Sequence, residues 1–291
     1  MQHIQEARAD LLQFLQDSGK SQQQIAKETG ISAARISKFL DGTYSGDVEG
    51  TAREVQNYLA VAKARLNTVQ TDFFYPQLRN TKDVLFACLY AHKHNKVALV
   101  CSAAGAGKTT ALNHYADHNA EVIMVTANAC TPSAMSILKM ICAELGKPAP
   151  GRRDAMMELL VDQLRGSNRL IIIDEADHLS FSALQAVRNL NDLAGVGIVF
   201  SGNDKIYLQM TSPRKGYEYE QIRTRIIVRK KVHNEYTVEE IQGVFHCSGQ
   251  AEQAFLMKLA GVESLRTAKK IFQLAAEAAT ATHRPFNAAL L

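Results

Sequence analysis

The sequence predicts an α/β fold: a parallel five-stranded sheet with helices on both faces, preceded by a small all-α domain and followed by a helical tail. Three observations predict it. From residue 81 onward, short apolar runs alternate with segments of helical periodicity, the pattern of βαβ units. A glycine-rich stretch, Ser102-Ala-Ala-Gly105-Ala106-Gly107-Lys108-Thr109, lies between the first of these runs and a helix-compatible segment, Thr110 to Asp117. Residues 1–67 carry helical spacing alone, including two short amphipathic segments divided by a glycine.

Bulk properties bound the problem. A chain of 291 residues has room for one large domain and a small one. Its 46% hydrophobic and 21% charged residues are ordinary for a soluble globular protein. A formal net charge of +4 is too mild to name nucleic acid as a partner, so any basic surface must be local. The five cysteines (Cys88, Cys101, Cys130, Cys142, Cys247) are widely spaced and form no C-x-x-C pair, which predicts buried free thiols in a reducing compartment and no zinc site. The first residues, Met1 to Arg8, lack the apolar core of a signal peptide, and no apolar run approaches membrane-spanning length. A cytoplasmic protein without a membrane partner is expected.

In the N-terminal part, Ile4, Ala7, Leu11, Leu12 and Leu15 repeat at helical spacing, and Gly19 is a plausible stop. Next, Ser21 and Ser32 can cap two short helices, with Gly30 making the turn between them. Ile25, Ile31, Ile36 and Phe39 would form their shared core, and the small Ala26 lets the helices approach. This is a helix-turn-helix pattern. Its second helix would turn Ser32, Ala33, Arg35, Ser37 and Lys38 toward a DNA groove, with Arg35 best placed for a base or phosphate. A three-helix bundle with no ligand is the alternative, and the balanced charge predicts weak, salt-sensitive binding. Asp41 to Asp47 is turn chemistry, a further helix over about 48–67 completes this domain, and residues 68–80, with Phe73-Phe74-Tyr75-Pro76, read as a linker whose aromatics are expected to pack under the next domain, with a place beside a bound base as the alternative.

The larger part, a core over 81–232 and a tail over 233–291, begins with a helix over Thr81 to Ala91. Strands follow at Val97 to Cys101, Glu121 to Val125, Leu170 to Glu175, Val196 to Phe200 and Ile226 to Val228. The third is a continuous apolar run, as a strand buried on both faces requires. Two helices, Pro132 to Leu145 and Asp154 to Arg165, separate the second and third strands, and Thr131 is expected to cap the first of them.

Between the first strand and its helix, the glycine-rich stretch is a P-loop pattern. Backbone N–H groups of Gly105, Ala106, Gly107 and Thr110 would converge on a phosphate at a helix N-terminus. Lys108 would reach the terminal phosphates and Thr109 would ligate Mg²⁺. Ser102 stands where the pattern usually has glycine, so the first turn must be made without glycine's freedom at positive φ. The third strand ends in Asp174-Glu175-Ala176-Asp177-His178. On a strand beside the phosphate loop, Asp174 would hold Mg²⁺ and Glu175 would orient and deprotonate a water. Asp177 reads as a helix start and His178 as a solvated side chain. A helicase sharing the letters D-E-A-D is disfavoured, because the chain has no second motor domain. After the fourth strand, Ser201-Gly202-Asn203 places an amide where γ-phosphate and water would meet.

The order of P-loop, D-E strand end, polar sensor, arginine-bearing segment and helical tail resembles the AAA+ ATPases. That resemblance implies ATP and Mg²⁺ as cofactors, and it makes the tail from Thr237 a lid with Arg266 as its sensor arginine, although Glu263 stands where the family often has glycine. It also makes the surplus helix between strands two and three an initiator-type insertion. The stretches Gln24 to Ala26, Gly30 to Phe39, Tyr44 to Asp47, Gly105 to Thr109, Ile172 to Leu179, Gly202-Asn203 and Thr224 to Ile226 resemble the Mu B-type transposition ATPases, with the IstB and TnsC families more distant. This second resemblance implies a bacterial-cell protein that self-associates on double-stranded DNA into ATP-dependent helical oligomers. It further implies slow hydrolysis and delivery of target DNA to a transposase. An arginine from one subunit would then complete the ATP site of the next; Arg225 is the first choice, with Arg223 and Arg188 behind it. The cluster Arg214, Lys215, Arg223, Arg225, Arg229, Lys230 and Lys231 is open between a solvated edge, a subunit contact and a phosphate track. DNA contact by the core is expected at Lys147, Arg152 and Arg153, with a disordered surface connection as the alternative for this loop. An ATP-switched transcription regulator and a replication helicase loader are the competing functions.

Overall fold

A computed structural model describes residues 2–18, 20–66, 74–212 and 217–282. The chain divides into two compact units, residues 1–70 and 71–291.

Described helices of the first unit are α1 (Gln2–Ser18), α2 (Gln22–Thr29), α3 (Ala33–Leu40) and α4 (Val48–Leu66). Local chemistry sets their ends. Ser21 Oγ accepts from Gln24 N while the Gln24 side chain accepts from Ser21 N, a reciprocal cap on α2. Gly30, at φ 75°, ends that helix with its N–H on Ala26 O. Ser32 then caps α3 through Arg35 N. Leu11, Phe14, Ile25, Ile31, Ile36, Phe39, Val55 and Leu59 bury together as one core. The expected stop at Gly19 lies outside the described residues.

The second unit runs α5 (Arg79–His94), β1 (Val97–Cys101), α6 (Lys108–Asp117), β2 (Val122–Thr126), α7 (Ala134–Glu144), α8 (Arg153–Leu164) and β3 (Leu170–Asp174). After a 3₁₀ turn (Ala176–His178) come α9 (Phe181–Ala194), β4 (Gly197–Gly202), α10 (Asp204–Thr211), α11 (Glu220–Arg223) and β5 (Ile226–Lys231). Three helices close the described chain: α12 (Val238–Phe245), α13 (Gln250–Val262) and α14 (Leu265–Thr282).

All strand pairs are parallel, in the order β2-β3-β4-β1-β5. Strands β1, β3 and β4 are buried along their whole length, which is why their sequences are nearly unbroken apolar runs. Helices α7, α8 and α9 cover one face, with Ile137, Ile141, Leu160 and Leu190 in its core. Helices α5 and α6 cover the other through Val84, Cys88, Ala111 and Leu112. Helices α12 to α14 form a separate small core around Ile241, Phe245, Leu256 and Leu265.

Several local expectations are corrected. Strand β4 lies between β1 and β3, so Asp174 does not end a strand adjacent to the phosphate-loop strand. Helix α7 starts later than Pro132: Ser133 is its cap, accepting from Ser136 N, and Thr131 Oγ1 instead accepts from Asn128 N within a turn. β5 extends to Lys231 because an edge strand can alternate charged side chains into solvent. Cys130 is exposed, whereas Cys88, Cys101, Cys142 and Cys247 are buried free thiols. Helix α5 reaches back to Arg79, inside the expected linker; Phe74 stacks on His114 at 3.9 Å, and residues 68–73 lie outside the described part. No described helix is long and apolar enough to cross a membrane.

Candidate nucleotide site

The C-terminal end of β1 runs into Ser102, which is fully buried. Ser102 N extends the β1–β4 ladder by donating to Gly202 O at 3.3 Å. The positive φ values of the loop fall on Gly105 (82°) and Gly107 (93°), and Ser102 is not among the residues with positive φ. The departure from glycine therefore introduces no left-handed strain. Ser102 Oγ donates to Ala103 O at 2.7 Å, which turns its lone pairs toward Lys108 Nζ, 2.8 Å away. Lys108 also donates to Ser102 O at 3.3 Å and Ala103 O at 3.2 Å. Burial holds the Lys108 ammonium below its ordinary pKa, against the opposing pull of Asp174, Glu175 and Asp177.

Asp174 is 1% exposed and saturated with donors. Thr109 Oγ1 reaches its Oδ2 at 2.6 Å; Ser201 Oγ and Glu175 N reach its Oδ1 at 2.8 and 3.0 Å. Such satisfaction is what lets a carboxylate stay buried. Thr109 and Asp174 thus offer adjacent hard oxygen atoms at the start of α6, a donor set that fits Mg²⁺. Glu175 follows at φ 53°, a left-handed conformation that is uncommon for a non-glycine residue and often marks a functional site.

Asn203, just past the end of β4, is fixed by the turn that follows β3. Its backbone N and its Nδ2 both donate to Asp177, at 3.0 and 2.6 Å, and its Oδ1 accepts from Lys205 N at 2.8 Å to cap α10. Asp177, read from sequence as a helix start, is instead a buried acceptor for Asn203. Gly202 makes room for this contact, since a Cβ there would sit 2.7 Å from Asp177 Oδ1.

The lid docks directly on the phosphate loop. Arg266 N donates to Gly105 O at 3.2 Å, and a Cβ on Gly105 would meet Ser264 Cβ and Oγ at 2.7 Å. One cavity is lined by the loop from Ala104 to Thr110 together with Glu175, Asn203, Leu265, Arg266 and Lys269. Lys269 is an addition to the residues expected from sequence; its i+3 spacing from Arg266 on one helix face is the available signal.

Other expected residues lie elsewhere. Arg225 does not line this cavity; its Nε meets Asp192 Oδ1 at 3.1 Å, and Arg188 meets the other oxygen of Asp192 at 3.1 Å. Arg223 is exposed at the end of α11. Besides Arg225, three further cations of the basic cluster have partners within the unit: Lys230 with Asp83, Lys231 with Asp204, and Arg229 over the Tyr207 ring. Arg214 and Lys215 lie outside the described residues. Lys147, Arg152 and Arg153 are exposed, with Arg152 paired to Asp154. In the N-terminal unit, Lys38 is exposed and Ser37 half-buried. Arg35 corrects the expectation of a groove-facing side chain, because Thr51 and Glu54 of α4 draw it inward, at 2.8 and 3.2 Å, beside the Tyr44 ring.

The AAA domain family matches residues 91–210, from the end of α5 into α10. Across a longer span the chain is 32% identical over 220 residues to the Mu-like prophage FluMu DNA transposition protein B of Haemophilus influenzae, covering 74% of this chain and 76% of that protein. The chain belongs to the Mu-like B transposition protein family. The chain carries an AAA+ ATPase domain, and it is 29% identical over 261 residues to the ATP-dependent target DNA activator B of Escherichia phage Mu, covering 89% of this chain and 83% of the phage protein. Among solved structures, the fold of this chain is similar to Cdc6p from Pyrobaculum aerophilum, with a TM-score of 0.53, 16% identity and coverage of 76% of this chain and 67% of that one. It is also similar to Drosophila ORC bound to DNA, with a TM-score of 0.50, 17% identity and coverage of 77% and 61%. At those identities the likeness is one of fold.

Proposed function

We propose that this protein binds and slowly hydrolyses ATP with Mg²⁺, assembles on duplex DNA as a helical oligomer, selects transposition target DNA and delivers it to a transposase. The observation that carries the reading is the cavity shared by Lys108, Glu175, Asn203 and Arg266, in a chain whose phage Mu relative is an ATP-dependent target DNA activator. In this reading Gly105, Ala106, Gly107 and Thr110 cradle phosphate oxygens with backbone N–H groups at the start of α6. Lys108 neutralises the terminal phosphates, and Thr109 with Asp174 holds Mg²⁺, which would offset phosphate charge. Glu175 accepts a proton from the attacking water, Asn203 orients that water, and Arg266 reports the γ-phosphate to the lid. Because Arg225 lies away from its own chain's cavity, it is assigned to the ATP site of a neighbouring subunit. DNA contact is assigned to the exposed Lys147, Arg152 and Arg153, with Ser37, Lys38 and the constrained Arg35 as secondary contributors in the helix-turn-helix.

Electron microscopy of the protein with ATP, Mg²⁺ and long duplex DNA tests this directly. Filaments that cover DNA of any sequence support the proposal; a discrete footprint on one sequence, or dispersed monomers, would sink it. Glu175→Gln should bind ATP normally, lose at least about tenfold in hydrolysis and remain on DNA. Normal turnover by that variant would remove Glu175 from the role of base.

A further inference from the structure

The pairing of Asp177 with Asn203 carries an assignment beyond the expected ATPase residues. A side-chain amide has two N–H donors and one carbonyl acceptor. In Asn203 the carbonyl is occupied by Lys205 N at 2.8 Å, and one N–H is occupied by Asp177 Oδ2 at 2.6 Å. The second Asp177 oxygen takes the Asn203 backbone N–H at 3.0 Å, so backbone and side chain of the same residue are gripped by one carboxylate. Asp177 is 8% exposed, and glycine at position 202 permits the approach. With the flip of the amide fixed in this way, one N–H of Asn203 remains to serve the cavity that Asn203 lines beside Lys108 and Glu175.

We infer that Asp177 is a positioning residue for ATP hydrolysis: it locks the Asn203 amide so that a donor, and never the carbonyl, faces the γ-phosphate and the attacking water. The assignment rests on the ATPase reading given above. Without the carboxylate, only the bond from Lys205 N orients the amide, and a rotation that breaks it presents an acceptor to a site rich in phosphate oxygen, a repulsive arrangement. Binding of ATP depends chiefly on Lys108 and the loop N–H groups, so loss of this lock falls on turnover.

The test uses the full-length protein with duplex DNA, a fluorescent ATP analogue for affinity and phosphate release for turnover. Asp177→Asn replaces one acceptor oxygen by a donor, and it should lower kcat by about tenfold while KM and nucleotide affinity stay within about threefold. The double variant D177N/N203D separates chemistry from folding. There the amide introduced at position 177 can accept from the position 203 backbone and donate to the carboxylate introduced at 203, so the pairing is rebuilt without a donor for the cavity. It should match the wild type in Tm and remain inactive in hydrolysis, and it carries the test even where the single variant folds poorly. Wild-type turnover by D177N, or recovery of turnover in the double variant, would overturn the assignment. Absence of hydrolysis by the wild-type protein itself would instead bring down the ATPase reading on which it rests.

Discussion

Ser102 occupies the place where a phosphate loop ordinarily begins with glycine, and its hydroxyl has a use there. Donation to Ala103 O leaves its lone pairs for Lys108, so the side chain presets the ammonium between the hydroxyl and two carbonyl oxygens. Ser102→Ala should therefore weaken ATP binding by about 1 kcal/mol, roughly fivefold in Kd, with the fold intact. Titration with a fluorescent nucleotide checks this, and tighter binding would mean that the hydroxyl competes with phosphate. Residues such as Lys108, Thr109, Asp174 and Glu175 are legible in the sequence because their spacing is dictated by one turn and one strand end. The role of Asp177 is not, because its partner Asn203 is distant in sequence and reached only through the packing of β4 beside β3. Arg35 departs from expectation for a related reason: periodicity puts it on the outer face of α3, but Thr51 and Glu54 arrive from α4 to claim it.

At the scale of elements, the start of α5 does more than end a linker. Asn80, 3% exposed, donates to Ala106 O in the phosphate loop at 3.3 Å and to His233 O at 2.7 Å, and accepts from His233 N at 3.3 Å. It ties the phosphate loop to the segment that follows β5. Asn80→Ala leaves buried backbone groups without partners and should cost about 1–3 kcal/mol, read as a drop of several degrees in Tm. A loss confined to ATP affinity, with Tm unchanged, would show that the tie does not support the fold. The sequence marks the strands well, since β1, β3 and β4 are buried on both faces and must be apolar throughout. It marks α5 poorly, because its first turn is held by Asn80 and by Glu240 accepting from Arg79 N, contacts with elements far along the chain.

For the whole molecule, the separation of Arg225 from its own cavity is the fact with most reach. Asp192 holds Arg225 and Arg188 together, and neither arginine lines the cavity at the phosphate loop, so in the proposed oligomer either one would serve the site of a neighbouring subunit. Arg225→Ala and Lys108→Ala should each abolish ATP hydrolysis, and mixing the two variants on DNA should restore up to about a quarter of the wild-type rate, as random pairing of neighbours gives one intact junction in four. Phosphate release at a series of mixing ratios checks this; no recovery at any ratio counts against a shared site. Assembly of this kind is invisible to periodicity and spacing, which report contacts within one chain.

The bond from Arg266 N to Gly105 O makes the lid and the phosphate loop thermodynamic partners. Whatever ligand prefers the loop with the lid seated must, by linkage, hold the lid shut, by about 2.7 kcal/mol at a hundredfold excess over Kd. Limited proteolysis across residues 246–249, between α12 and α13, should then slow about a hundredfold under saturating ATP. If cleavage keeps its pace, the lid opens independently of the ligand. The C-terminal helices thus become a gauge of occupancy that can be read from outside the protein, by a protease that never touches the nucleotide.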